Sequence, residues 1–224
     1  IEIFYCGKSP KKRLVSALRD ALSTLPRGEI DYDIGTDVRM NSVEEQPRYV
    51  EEELEVTQGK LVIGWRLGEC MDEPDYPALY VFNAVFGSGA ASKLFVNVRE
   101  RLSLCYYASS LLDLHKGLML VASGIEFDNF DAARDEIFAQ LEAVKNGDIS
   151  ESELAAARSG VASELRSICD SQGELEGFYL SLALDGLDCS PEELAELCEQ
   201  VSLEDITDIA NSLECDMIYF LKGE

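Results

Sequence analysis

Few side chains in this sequence are of a type and spacing that could do chemistry. Hydrolysis at a histidine-held zinc needs two imidazoles on the ion and a carboxylate to activate water, arranged as H-x-x-E-H or H-E-x-x-H. The sequence holds one histidine, His115, so neither motif exists. Followed by Lys116-Gly117, His115 reads as a solvated turn residue. The seven cysteines are Cys6, Cys70, Cys105, Cys169, Cys189, Cys198 and Cys215, an odd number with no C-x-x-C pair. The nearest two, Cys189 and Cys198, stand too far apart for the usual zinc spacing. Cys105 and His115 fall on one hairpin, so a Cys–His nucleophile pair is one reading and core packing of Cys105 the other.

The run Gly87-Ser88-Gly89-Ala90-Ala91-Ser92-Lys93 invites a phosphate-binding reading and fails it in detail. Both G-x-G-x-x-G and the P-loop need Gly where Ser92 stands, and the P-loop needs Ser or Thr where Leu94 stands. A helix, not a strand, precedes the run. The glycines instead let the backbone approach something closely, either a neighbouring helix or a bound peptide.

The elements that must position these residues follow from periodicity. Residues 1–6 alternate like a strand, and Ser9-Pro10 opens a helix to about Thr24 with Leu14, Leu18, Ala21 and Leu22 on one stripe. Residues 26–49 have no period and read as an irregular linker. Val50–Thr57 and Lys60–Leu67 are expected to form a hairpin about Gln58-Gly59. A helix from Pro77 ends at Gly87, and a short one runs from Ser92 to Arg101. Leu104–Asp113 and Leu118–Gly124 make a second hairpin about His115-Lys116-Gly117. Asn129–Lys145 is helical, with Phe130, Ala133, Ile137, Leu141 and Val144 inward. Ser150 with Glu153 is a capping box opening a long helix to about Asp170. Gly173 is expected to break it before a continuation through Leu184. Ser190-Pro191 with Glu193 and Ser202 with Asp205 start two further helices, and Asp216–Leu221 is a closing strand.

Strands in sequential pairs imply antiparallel pairing. The expected fold class is α+β: one antiparallel or mixed sheet with helices packed on one face, residues 1–224 forming one domain. The first strand and helix are expected to join the last strand. No initiator Met is present, and the chain opens on a strand-like segment. The expectation is a fragment of a longer protein, with functional residues lying upstream.

Composition narrows the partners. The net charge is −24, from 19 basic and 43 acidic side chains. Such a surface repels nucleic acid and anionic membrane and favours, at most, a basic peptide or partner. No apolar run approaches the roughly 18 residues of a membrane span. Cysteines in apolar segments at an odd count fit a reducing cytoplasm.

Phe86 to Tyr107 is the most distinctive stretch: a helix end, a Gly/Ser turn, Ser92-Lys93-Leu94-Phe95, then Arg99-Glu100 and, seven residues past that Arg, Tyr106. It resembles a segment of the insulinase/pitrilysin superfamily, which includes the mitochondrial processing peptidases. The Ser150–Leu165 helix and Val201–Ile206 are similar to that family as well. The resemblance implies a half-clamshell fold, one of two homologous halves. It implies that zinc sits only in a catalytic partner half and that this chain holds no cofactor. Carried over residue by residue, the substrate-binding positions are Arg99 and Tyr106, with Gly87 and Gly89 in the Gly-rich turn. A guanidinium binds a peptide carbonyl or carboxylate, and a phenol can donate to an oxyanion.

The function these residues and the resemblance imply is a non-catalytic, peptide-binding half, or an inactive partner subunit as in bacterial two-protein systems. It would take extended peptide at a sheet edge. Its partners would be a homologous N-terminal half or catalytic subunit, with a homodimer also allowed. The alternative is a scaffold that keeps the fold without peptide contact; a Cys-dependent enzyme is a third option.

Overall fold

A computed structural model describes residues 3–26, 28–29, 46–68 and 75–224. Five strands form one sheet: β1 (Arg48–Leu54), β2 (Gly59–Arg66), β3 (Cys105–Asp113), β4 (Leu118–Ile125) and β5 (Glu214–Gly223). Their order is β1-β5-β2-β4-β3. β1 runs parallel to β5 and every other pair is antiparallel. The α+β expectation, with a mixed sheet and helices on one face, holds.

Alternation along the strands makes the core. Leu61, Ile63 and Trp65 of β2 and Met119 and Val121 of β4 are buried on one face. Over them lie α2 (Tyr76–Phe86) and α3 (Phe130–Lys145). Trp65 meets Phe86 and Phe138 edge-on, with ring centroids 6.5 and 5.7 Å away, a geometry aromatic rings favour. A second tier consists of α4 (Glu151–Ser167), α6 (Pro191–Gln200) and α7 (Leu203–Ser212). Here α4 packs on α2 and α6, and α7 on α2 and α3. Capping boxes at Ser150, Ser190 and Ser202 open all three helices where the sequence placed them.

The opposite sheet face carries no such layer among the described residues. The intervening positions, Val62, Leu120, Tyr219 and Leu221, are half-buried there beside the more exposed Val50, Leu54 and Leu111.

Four local expectations need correction. β1 and β2 do not form a hairpin, because β5 lies between them. β1 is the acidic strand, and β5 supplies what its carboxylates need. Lys222 Nζ lies 2.7 Å from Glu51 and 2.8 Å from Glu53, and Tyr219 O–H donates to Glu52 at 2.8 Å. Periodicity identified both strands but says nothing about a partner far along the chain.

Residues 3–6 form no strand and do not join β5; Phe4 stacks on Tyr179 instead, at 6.1 Å. The helix after them, α1 (Lys11–Leu22), is capped at Pro10 with no side-chain hydrogen bond and buries no residue. The break before α5 (Gln172–Asp185) falls at Ser171, not Gly173: Ser171 is extended and its hydroxyl accepts from Glu174 N–H, starting a new helix. Gly173 sits within that first turn. Most of the 26–49 linker and Cys70 lie outside the described residues.

Candidate functional site

Gly87 ends α2 against the sheet. Its N–H donates to Asn83 O at 2.9 Å, and its carbonyl accepts Ser110 N–H at 3.1 Å. A Cβ on Gly87 would stand 2.5 Å from Ser110 Oγ and 2.8 Å from Leu94 Cδ1. The close approach is therefore both to Ser110 of β3 and to Leu94, which opens the helical segment after the turn. It has a consequence for recognition. Ser110 N–H points away from β4, and Gly87 occupies it, so the middle of this sheet edge is closed to an added strand.

Gly89 holds φ +102°, a conformation side-chain-bearing residues avoid, and its Cβ position is open. It lies on the wall of a cavity of about 570 Å³ between α2, the turn and α4–α5, with Ala84, Ala157, Gly160 and Phe178 among its lining. Beyond the turn, Ser92 O–H donates to Gly89 O at 2.8 Å and Lys93 Nζ lies 3.2 Å from Glu153 Oε1. The Lys93 side chain is 7% exposed. Burial pushes Glu153 up, but the Ser150 hydroxyl and N–H and the Lys93 ammonium outweigh it and hold the carboxyl below its ordinary value.

Leu94–Arg101, expected as an ordinary helix, is π-helical. Leu94 and Val98 bury its inner side, and Asn97 Nδ2 donates to Gln140 Oε1 of α3 at 2.7 Å. Arg99 sits on the outer side. Its guanidinium lies 4.6 Å from the centre of the Phe95 ring, and its Nε 3.6 Å from Glu100. Ser103, with φ +52°, is the one described non-glycine residue at positive φ. β3 then begins with a bulge. Its register on β4 passes from Cys105↔Ile125 to Tyr107↔Gly124, leaving Tyr106 unpaired, 55% exposed and turned outward. The Tyr106 hydroxyl donates to Glu126 Oε1. Nothing in the sequence pattern marked Glu126, which follows the apolar alternation of β4; only the contact reveals it.

Arg99 and Tyr106 stand at one corner: Ser103 N–H donates to Arg99 O and Leu104 N–H to Val98 O, each at 3.1 Å, so the end of the π-helix is tied to the residues that enter β3. Gly87 and Gly89 belong to the other end of the turn. Four residue steps along β3 separate Tyr106 from Ser110, about 13 Å.

The Cys–His reading is overturned. Cys105 and His115 lie at opposite ends of β3, a separation of about 25 Å or more, and His115 Nε2 stands 3.2 Å from Ser181 Oγ. Burial also pushes the Cys105 thiol up, against smaller opposing effects of Ser123 and Arg99. Nor does the donor set fit a hydrolytic zinc: the lone imidazole has no second histidine to join it, and no cluster of three metal-binding side chains forms among the described residues.

Comparison with known proteins shows the family and the fold. Residues 1–161 match the model of the peptidase M16 inactive domain. The chain is 41% identical over 178 residues to the probable inactive metalloprotease YmfF of Bacillus subtilis (strain 168), which takes in 80% of this chain and 42% of that protein. It superposes on a conserved protein from Enterococcus faecalis V583 with TM-score 0.83 and 30% identity, over 96% of this chain and 50% of that one. The peptidase M16 inactive domain from Pseudomonas fluorescens shares the fold, with TM-score 0.73 and 19% identity, over 96% of this chain and 52% of that one. This chain belongs to the peptidase M16 family, as an inactive domain of it. It spans about half the length of these relatives.

Proposed function

We propose that this chain is the zinc-free accessory half of a longer two-half protein and binds extended peptide at the corner formed by Arg99 and Tyr106. The observation that supports this is a concentration of backbone irregularity. Within Leu94–Tyr107 a π-helix, a positive-φ serine and a β-bulge follow one another. Each departs from the cheapest backbone conformation, and such departures cluster where a side chain must be aimed. Here they leave two polar side chains open to solvent, the Arg99 guanidinium over the Phe95 ring and the Tyr106 phenol. The peptide would cross this corner and not extend the sheet at Ser110.

The apolar sheet face, which no described helix covers, is the natural seat for the homologous half, or for a second copy of the chain. Zinc, where the assembly uses it, belongs to that partner. Six described cysteines are free thiols, which supports a cytoplasmic setting.

Fluorescence anisotropy of the full-length protein with a labelled, unstructured peptide tests the reading. Arg99→Ala and Tyr106→Phe should each weaken binding by about tenfold. Unchanged binding, with the fold intact, would favour the scaffold alternative. That alternative draws on the closed edge at Ser110.

A further inference from the structure

We propose that Tyr106 and Glu126 together form a subsite for a basic side chain of the bound peptide, an inference that rests on the peptide-binding reading above. A phenol has one proton to give. In Tyr106 that proton goes to Glu126, so what its oxygen presents outward is acceptor capacity. An ionised carboxylate is acceptor-only as well. The pair therefore complements an ammonium or guanidinium, not a peptide carbonyl.

The backbone fixes where the carboxylate stands. Ile125, just before it, is fully buried and pairs with both Gly59 and Cys105. Phe127, just after it, lies with its ring 2.7 Å from where a Cβ on Gly223 would be. Asn129 then ties the turn back to Leu104 O at 3.4 Å. Tyr106 is placed equally firmly, as the bulged residue between two paired ones.

The pair is also available. Glu126 and Tyr106 are both exposed. Among the described residues no Lys or Arg pairs with Glu126, while Arg99 is turned to Phe95 and Glu100. The net charge of −24 draws basic peptides toward the whole molecule; the Tyr106–Glu126 pair would supply the specific seat.

The test uses the full-length protein and two fluorescein-labelled decapeptides, identical except that one carries lysines where the other carries glutamines. At about 0.15 M salt, long-range attraction is damped. The wild-type protein should prefer the lysine peptide by about tenfold. Glu126→Gln should erase that preference, with the greater loss falling on the lysine peptide. Tyr106→Phe should weaken the lysine peptide more than the glutamine one. Glu176→Gln, which removes the same charge from exposed α5, should leave the preference intact. Equal loss in the Glu126 and Glu176 variants, or no loss in either, overturns the subsite while peptide binding stands. If neither peptide binds the wild-type protein, the parent reading fails too.

Discussion

The carbonyl of Gly87 accepts the Ser110 N–H at 3.1 Å, and no side chain larger than hydrogen fits between the two residues. One contact joins the end of α2 to the outer edge of β3, and the π-helix that carries Arg99 departs from this junction. Gly87→Ala would press a methyl group into Ser110 and Leu94. We expect a loss of about 1–3 kcal/mol of stability, read as a lower urea midpoint at unchanged slope. Full retention of the midpoint would show that the junction has slack the distances deny.

The Lys93–Glu153 pair should matter because one partner is buried and the other half in solvent. Glu153→Ala strands the Lys93 ammonium, 7% exposed, without its carboxylate. Allowing for solvent at Glu153, the expected cost is about 1–3 kcal/mol. Lys93→Met, which removes the charge that needs compensating, should cost less.

The same carboxylate sets an acid limb. Its folded-state value is held below the ordinary 4.5. A depressed carboxyl contributes stability that is complete above its unfolded value and is lost as pH falls through its folded one. Urea unfolding should therefore show stability falling from about pH 5 downward, with a shallower fall in Glu153→Gln. An identical acid limb in the variant would remove Glu153 from the account.

Thiol reactivity should divide the cysteines by burial. Cys6 and Cys169 are exposed. Burial, with the nearby Cys189 and Glu199, pushes the Cys198 thiol up to about 12. Burial and Asp216 push Cys215 up to about 11. A disulfide reagent at mildly alkaline pH should label Cys6 and Cys169 at once, and Cys198 and Cys215 only on unfolding. Rapid labelling of Cys198 in the folded protein would contradict the packing of α6 on α2.

Local chemistry was legible in the sequence, and long-range pairing was not. Ser150, Ser190 and Ser202 announced their helices because a cap and its acid lie three residues apart. Gly87 is legible as a close-approach glycine and Leu94 is a near neighbour in sequence, but its tighter contact is with Ser110, which no local pattern links to it. The insertion of β5 between β1 and β2, where Lys222 and Tyr219 meet Glu51, Glu52 and Glu53, joins segments some 167 positions apart in the chain. At the candidate site, Arg99 and Tyr106 came from motif resemblance. Glu126 emerged only when the bulge brought Tyr106 over it.

A photocrosslinking map of the full-length protein bears most directly on the central claim. A peptide carrying a benzophenone side chain would be bound, irradiated and its adducts located by mass spectrometry. Adducts within Leu94–Tyr107 and beside Glu126, competed away by unlabelled peptide, are the predicted result. Competed adducts found solely in the other half, or confined to the cavity between α4 and α5, would contradict it.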